Sequence, residues 1–223
     1  MADLEKTIIQ IRETLEKSYP LLLKQCGITE NGDYREPTTG FEELRNQILP
    51  IIQADEKQLG AKEARNKFVQ EASFTTLNRL VGLKVMEVRG LIERTYVTKS
   101  IDTGGKSEAH YLYLSRNPQA NSEPGQGINT VLREVFQTLS QELPQLYNGS
   151  RYGFLPRPSE TVAVIDLINS IDPGEWLKDD IIGWIYQYYN IAERRLLKDS
   201  KAKIDQSNVH YQSQQYTPSW VVK

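Results

Sequence analysis

The chain has 223 residues, 25% of them charged and 39% hydrophobic, with a net charge of −2. This ordinary globular balance suffices for one large domain or two small ones, and it excludes a global attraction to nucleic acid or anionic membrane. Any DNA contact must come from a local basic face. No apolar run approaches the roughly 20 residues of a membrane helix. The charged, periodic start "MADLEKTIIQIRETLEK" is not a signal peptide. One cysteine, Cys26, excludes an internal disulfide, and with only two distant histidines, His110 and His210, a Cys/His metal centre is not expected. A cytoplasmic location, with no membrane partner, fits this composition.

Leu4, Ile8, Ile11, Leu15, Tyr19 and Leu22 recur at steps of three or four, which predicts a first helix. Pro20 is expected to kink or interrupt it, and Cys26-Gly27 to cap it. "TENGDYREPTTG" is a loop. "FEELRNQILPIIQADEKQL" predicts a second helix with Pro50 inside. The longest helical stretch follows, from Gly60 to Ile92. Phe74, Leu77, Val81, Val85 and Val88 form one apolar row, and Phe68, Ala72 and Leu80 widen it to a stripe buried on much of the circumference. Gly90 is placed to end this helix.

From Thr95 the pattern changes. β-branched and aromatic runs flank Asp102-Thr103-Gly104-Gly105, the signal of a hairpin. "SRNPQANSEPGQG" is loop. "INTVLREVFQTLSQELPQLY" is helical, and Ser159 is a candidate N-cap for "ETVAVIDLINSI". After the Asp172-Pro173-Gly174 turn, the segment from Glu175 onward is helical again. The expected fold is mainly α, with at most a short β-hairpin around 96–114. The expected organisation is a helical lobe over 1–95, a hairpin and loop insertion over 96–127, and a second helical lobe over 128–210.

The sequence carries little familiar chemistry. "DTGGKSE" contains Gly-Lys-Ser, but the preceding glycine is adjacent rather than five residues away, so it is no phosphate loop. There is no nucleophile elbow, no dinucleotide or S-adenosylmethionine fingerprint, and no Asn-Pro-Pro-Tyr or Asp-Pro-Pro-Tyr. Basic residues gather in two groups. Arg65, Lys67, Arg79, Lys84, Arg89 and Arg94 punctuate the long helix, and Arg194, Arg195, Lys198, Lys201 and Lys203 form the other. They constitute either a solvated helix face or contacts to a phosphate backbone. In the second case Arg65, Arg79, Lys84, Arg194, Arg195 and Lys198 are the candidates. Glu71, Glu87, Glu93 and Glu193 interleave with them and favour the first case.

The aromatic run "IIGWIYQYYN" is the densest in the chain. Wound on a helix, it is apolar almost all round, which predicts a buried element with Trp184 in the core rather than a base-stacking surface.

That run resembles the Gly-Trp-Leu-Tyr-Gln-Tyr-Tyr-type motif of PglX, the large adenine-specific DNA methyltransferases of BREX phage-defence systems. Asn78-Arg79-Leu80-Val81-Gly82-Leu83-Lys84-Val85-Met86-Glu87 is similar to the core of that family's N-terminal helix, with Gly82 for a usual alanine and Lys84 for an arginine. "QYTPSW", ending at Trp220, is similar to the stretch that leads into the family's catalytic domain. The three matches occur in the family's order, whereas residues 1–63 match only in helical character. The resemblance implies the N-terminal helical region of a bacterial phage-defence or restriction-modification enzyme, not itself catalytic. Residues 211–223 would then open a truncated methyltransferase domain, and Tyr216, Thr217 and Pro218 would line the S-adenosylmethionine pocket of the parent. The cofactor would belong to the parent and not to this region. DNA, through the full-length protein, and defence-complex proteins are the implied partners. A free-standing helical interaction module without a catalytic domain is the alternative, and a small-molecule enzyme a distant third.

Overall fold

A computed structural model describes residues 2–191. The first helix, α1 (Ala2–Gln25), buries the whole expected stripe from Leu4 to Leu22. It runs through Pro20 as a single helix. The proline removes one backbone bond near the C-terminal end, where the neighbouring side chains are anchored. Ser18 Oγ accepts from the Arg157 N–H at 3.3 Å. Tyr19 Oη donates to the Phe154 carbonyl at 2.6 Å and lies 2.7 Å from Thr76 Oγ1. The helix ends as expected: Gly27 has φ +72° and the Ile28 N–H returns to the Leu23 carbonyl at 2.8 Å. A Cβ at Gly27 would stand 2.1 Å from the Arg35 carbonyl oxygen, so glycine is required.

Next come α2 (Glu42–Leu59) and α3 (Ala61–Val88), separated by Gly60. The 28-residue α3 is the spine, and both α1 and α2 pack along it. It buries Phe68, Ala72, Leu77, Leu80, Val81 and Leu83, which occupy more than one face, as the doubled apolar row predicts. Gly90 ends it with φ +65°, while the Leu91 N–H bonds back to the Met86 carbonyl at 2.8 Å. Six shorter helices follow: α4 (Glu108–Arg116), α5 (Ile128–Leu139), α6 (Pro144–Tyr147), α7 (Pro158–Ser170), α8 (Pro173–Trp176) and α9 (Ile181–Tyr189). Two 3-10 turns, Pro118–Ser122 and Pro124–Gly127, join α4 to α5. Helices α7 and α9 close on α1, and one apolar cluster runs from Leu4 to Tyr189. The fold is mainly α.

Three local expectations need correction. The hairpin shrinks to a single antiparallel bridge, Ser100 with Lys106, and among the described residues no strand forms. Its second arm is helix α4. "HYLYL" alternates well enough for a strand, but Thr95 accepts the first two amides of the helix: Glu108 N at its Oγ1 (3.0 Å) and Ala109 N at its carbonyl (2.9 Å). Helix α7 starts at Pro158, so Ser159 is not its N-cap. Proline at the first position presets φ and has no N–H to satisfy. The C-terminal helix is interrupted over 177–180, between α8 and α9.

The aromatic helix α9 is also less buried than expected. Ile181, Ile185, Tyr188 and Tyr189 enter the core, but Ile182 is 54% exposed. Trp184 is half-buried, stacked on Tyr188 with ring centroids 5.7 Å apart, and its Nε1 donates to Asp180 at 3.0 Å. The tryptophan at the centre of the core is Trp176, 1% exposed.

Candidate functional site

Of the basic residues expected along the long helix, Arg65, Arg79 and Lys84 turn inward, whereas Lys67 is half-buried and Arg89 and Arg94 are exposed. Arg79 is buried, and its guanidinium spreads over three carbonyls: Nε to Leu146 (3.2 Å), Nη1 to Gly153 (2.8 Å) and Nη2 to Tyr147 (2.8 Å). It also lies 5.4 Å from the Phe136 ring centroid. Arg65 is buried against Glu56, the Thr29 carbonyl and the Tyr34 ring. Lys84 reaches Thr98 Oγ1 at 2.8 Å and Asn169 Oδ1 at 3.4 Å under the ring of Trp176. Burial holds its ammonium below the usual lysine value, against the pull of Glu87. In this conformation Arg65, Arg79 and Lys84 are buried and their donors are directed at protein acceptors. The sequence showed cations at helical spacing; what it hid was that distant carbonyls come to meet them. Arg194, Arg195 and Lys198, like Tyr216, Thr217 and Pro218, lie outside the described residues.

The helix segment that carries the family resemblance therefore serves as a set of anchors. Arg79 fixes the turn after α6, and Lys84 and Glu87 fix the chain after α3. The Glu87 carboxylate accepts the amides of Tyr96, Val97 and Thr98 at 2.6, 2.8 and 2.7 Å. Gly82 lets α6 approach: a Cβ there would meet Leu146 Cδ2 at 2.8 Å.

The Arg79 anchor borders an open groove of about 1420 Å³ between the end of α1, the start of α2, α5 and the loop over 148–158. Arg79 lies in its wall. Arg133 stands exposed on α5, its only hydrogen bond among the described residues a long one, 3.4 Å, to Thr130. Arg151 projects from the loop, Arg157 is half-buried and ion-paired with Glu160, and Glu43 and Glu123 are the acidic members of the lining. The Arg151 guanidinium is half-exposed and ion-paired through Nη2. Asp55, 4% exposed, accepts from Arg151 at 2.8 Å, Tyr152 Oη at 2.7 Å and Lys67 at 2.9 Å. Burial alone would raise the Asp55 carboxyl, but these donors and the charges of Lys67 and Arg151 hold it below the usual carboxylate range. Gln25 Oε1 and Asn129 Oδ1, both in the lining, are buried without a hydrogen-bond partner. The groove thus offers guanidinium donors and the half-buried rings of Phe41 and Phe154. That set suits a polar, anionic macromolecular surface better than a small-molecule reaction. Among the described residues no cluster of His, Cys, Asp and Glu could hold a metal, and no helix is long and apolar enough to cross a membrane.

Sequence reasoning missed Arg133, Arg151 and Arg157. The available signal was "SRYGFLPRP", a loop with two arginines set among aromatics and prolines.

No known family model matches the chain. It is similar to an adenine-specific methyltransferase PglX of Lacticaseibacillus casei (strain Zhang), with 23% identity over 274 aligned positions that take in 96% of this chain. The match takes in 22% of that protein, so the chain spans about a fifth of the relative's length. The resemblance carried by the three motifs is borne out at this level.

Proposed function

We propose that this chain is the N-terminal helical region of a bacterial adenine-specific DNA methyltransferase of a phage-defence or restriction-modification system. The observation that carries the reading is the match itself: nearly all of this chain aligns with a small part of a protein named as an adenine-specific methyltransferase. In this reading the catalytic domain opens within 211–223, and Tyr216, Thr217 and Pro218 contribute to the S-adenosylmethionine pocket of the parent. The parent moves a methyl group from that cofactor to the exocyclic amine of an adenine. Such chemistry needs the base extruded from the duplex, and flanking domains to hold the distorted DNA.

The region described here supplies a groove for that task. Arg133 and Arg151 are its exposed cations, with the half-buried Arg157 beside them, in place of the buried Arg65, Arg79 and Lys84. A phosphate backbone lying there would exchange counterions for guanidinium contacts, and binding would weaken as salt rises. Fluorescence anisotropy with a labelled duplex, at low and at physiological salt, tests this. Arg133→Glu with Arg151→Ala should abolish binding if the groove holds DNA. Duplex binding that survives this double variant would place the contact elsewhere. A chain that binds no DNA at low salt would leave the groove to a protein of the defence complex.

A further inference from the structure

A second, smaller cavity of about 400 Å³ lies along α7, at the low end of the range for small-molecule sites. Its two walls differ in chemistry. One is the turn that the sequence suggested as a hairpin tip: Lys99, Lys106 and Ser107, leading into the start of α4. The other is apolar, from Ile128, Val162 and Ile165. The basic wall is held rigidly. Glu87 takes the amides of 96–98, Asn169 Oδ1 takes the Lys99 amide at 3.1 Å, and Asn169 Nδ2 donates to the Val97 carbonyl at 2.8 Å.

Two groups on this wall are left without partners. Ser107 is 3% exposed, yet its Oγ has no hydrogen-bond partner, a costly state for a buried hydroxyl. Lys106 has no carboxylate within ion-pair distance among the described residues. Lys99 is paired to Asp166, a half-exposed carboxylate that opposes an incoming anion. The first two amides of α4 are taken by Thr95, so the helix contributes its dipole rather than free N–H groups. Near the 3-10 turn, Gln126 is held at φ +53°, which aims its carbonyl at His110 Nε2, 2.8 Å away. His110 is thereby occupied and leaves the charge of the wall to the lysines.

We propose that this cavity binds a phosphate-bearing ligand of nucleotide size. Lys106 and the Ser107 hydroxyl take the phosphate, and the face of Ile128, Val162 and Ile165, with the ring of Tyr96, takes the base. The binding chemistry is the same whether the nucleotide is free or stands at the end of a DNA strand. It does not depend on the parent's activity.

Isothermal titration of the 223-residue chain tests the proposal with four probes: dAMP, deoxyadenosine, inorganic phosphate and a short 5′-phosphorylated single strand. dAMP should bind more tightly than either of its halves, because only the intact nucleotide reaches both walls. Lys106→Ala should weaken it about tenfold through the lost charge-assisted bond. Ser107→Val, which fills the space beside the phosphate, should do at least as much. Melting curves confirm that both variants are folded, and Lys106→Glu, at a half-exposed site, is a second charge test. If the strand binds more tightly than dAMP and the same variants weaken it, the source is DNA; if dAMP is preferred, it is a free nucleotide. The proposal is overturned if none of the phosphate probes binds at about 10 mM, or if binding is indifferent to all three variants.

Discussion

Cys26 and His110 are single groups whose chemistry is set by burial. Cys26 is fully buried at the end of α1, and burial pushes its thiol up to about 11, partly opposed by Arg45. Only the thiolate reacts, so a native chain should resist alkylation at neutral pH and react promptly in urea. Iodoacetamide labelling followed by mass spectrometry checks this, and rapid labelling without denaturant would contradict it. His110 is held below its ordinary value of 6.5, chiefly by burial and also by Lys106 and Lys99, against its bond to Gln126. The folded chain therefore refuses a proton that the unfolded chain accepts. Stability should be flat above about pH 7 and fall as pH drops below the unfolded value, by at most about 1.4 kcal/mol per pH unit. His110→Gln should flatten the pH 5.5–7 part of a series of urea melts; a variant with the parent's slope would remove His110 as its cause.

At the scale of elements, α3 and its partners decide what holds. Arg79→Ala would leave three carbonyls of the 146–153 turn without their donor, at a cost of about 2–4 kcal/mol. Arg79→Lys should recover little of this, since an ammonium cannot fork across three acceptors. Hydrogen exchange of residues 146–154 should quicken in both variants ahead of global unfolding. Unchanged protection there would mean the anchor is redundant. Among the tryptophans, Trp176 and Trp184 separate burial from aromatic density. Trp176→Ala should cost about 3–5 kcal/mol through lost burial and a cavity. Trp184→Ala, at a half-buried position, should cost about 1–2 kcal/mol. Thermal melts that rank them the other way would overturn this assignment of the core.

For the whole molecule, one apolar cluster ties the first helix to the last described one. The chain should therefore unfold in a single transition. The same chain should show no methyl transfer to DNA and no measurable affinity for S-adenosylmethionine. It has neither a glycine-rich cofactor loop nor the Asn-Pro-Pro-Tyr tetrapeptide that the reaction requires. Radiolabelled methyl transfer and calorimetry check this, and turnover by these 223 residues alone would defeat the proposed role.

Much of this fold was legible in the sequence because helix formation is read from neighbours three and four apart. The stripe of α1, the doubled stripe of α3 and the glycine stops at Gly27 and Gly90 are all local patterns, and all form. The family resemblance rests on local words of the same kind. Apart from the start of α7, which its own Pro158 sets, what failed depended on partners farther along the chain. "HYLYL" became helix because Thr95 waited for its first amides. Arg79 went inward because carbonyls 67 to 74 residues away converge on it. Trp176 rather than Trp184 took the centre because α8 docks on α3. The groove of Arg133, Arg151 and Arg157 and the cavity beside Ser107 are likewise products of packing. The sequence by itself determined the stripes of α1 and α3 and the glycine stops that end them, since those energies are local. Only the tertiary structure decided which cations face solvent, because the burial of a charge depends on acceptors that the chain delivers from far along its length.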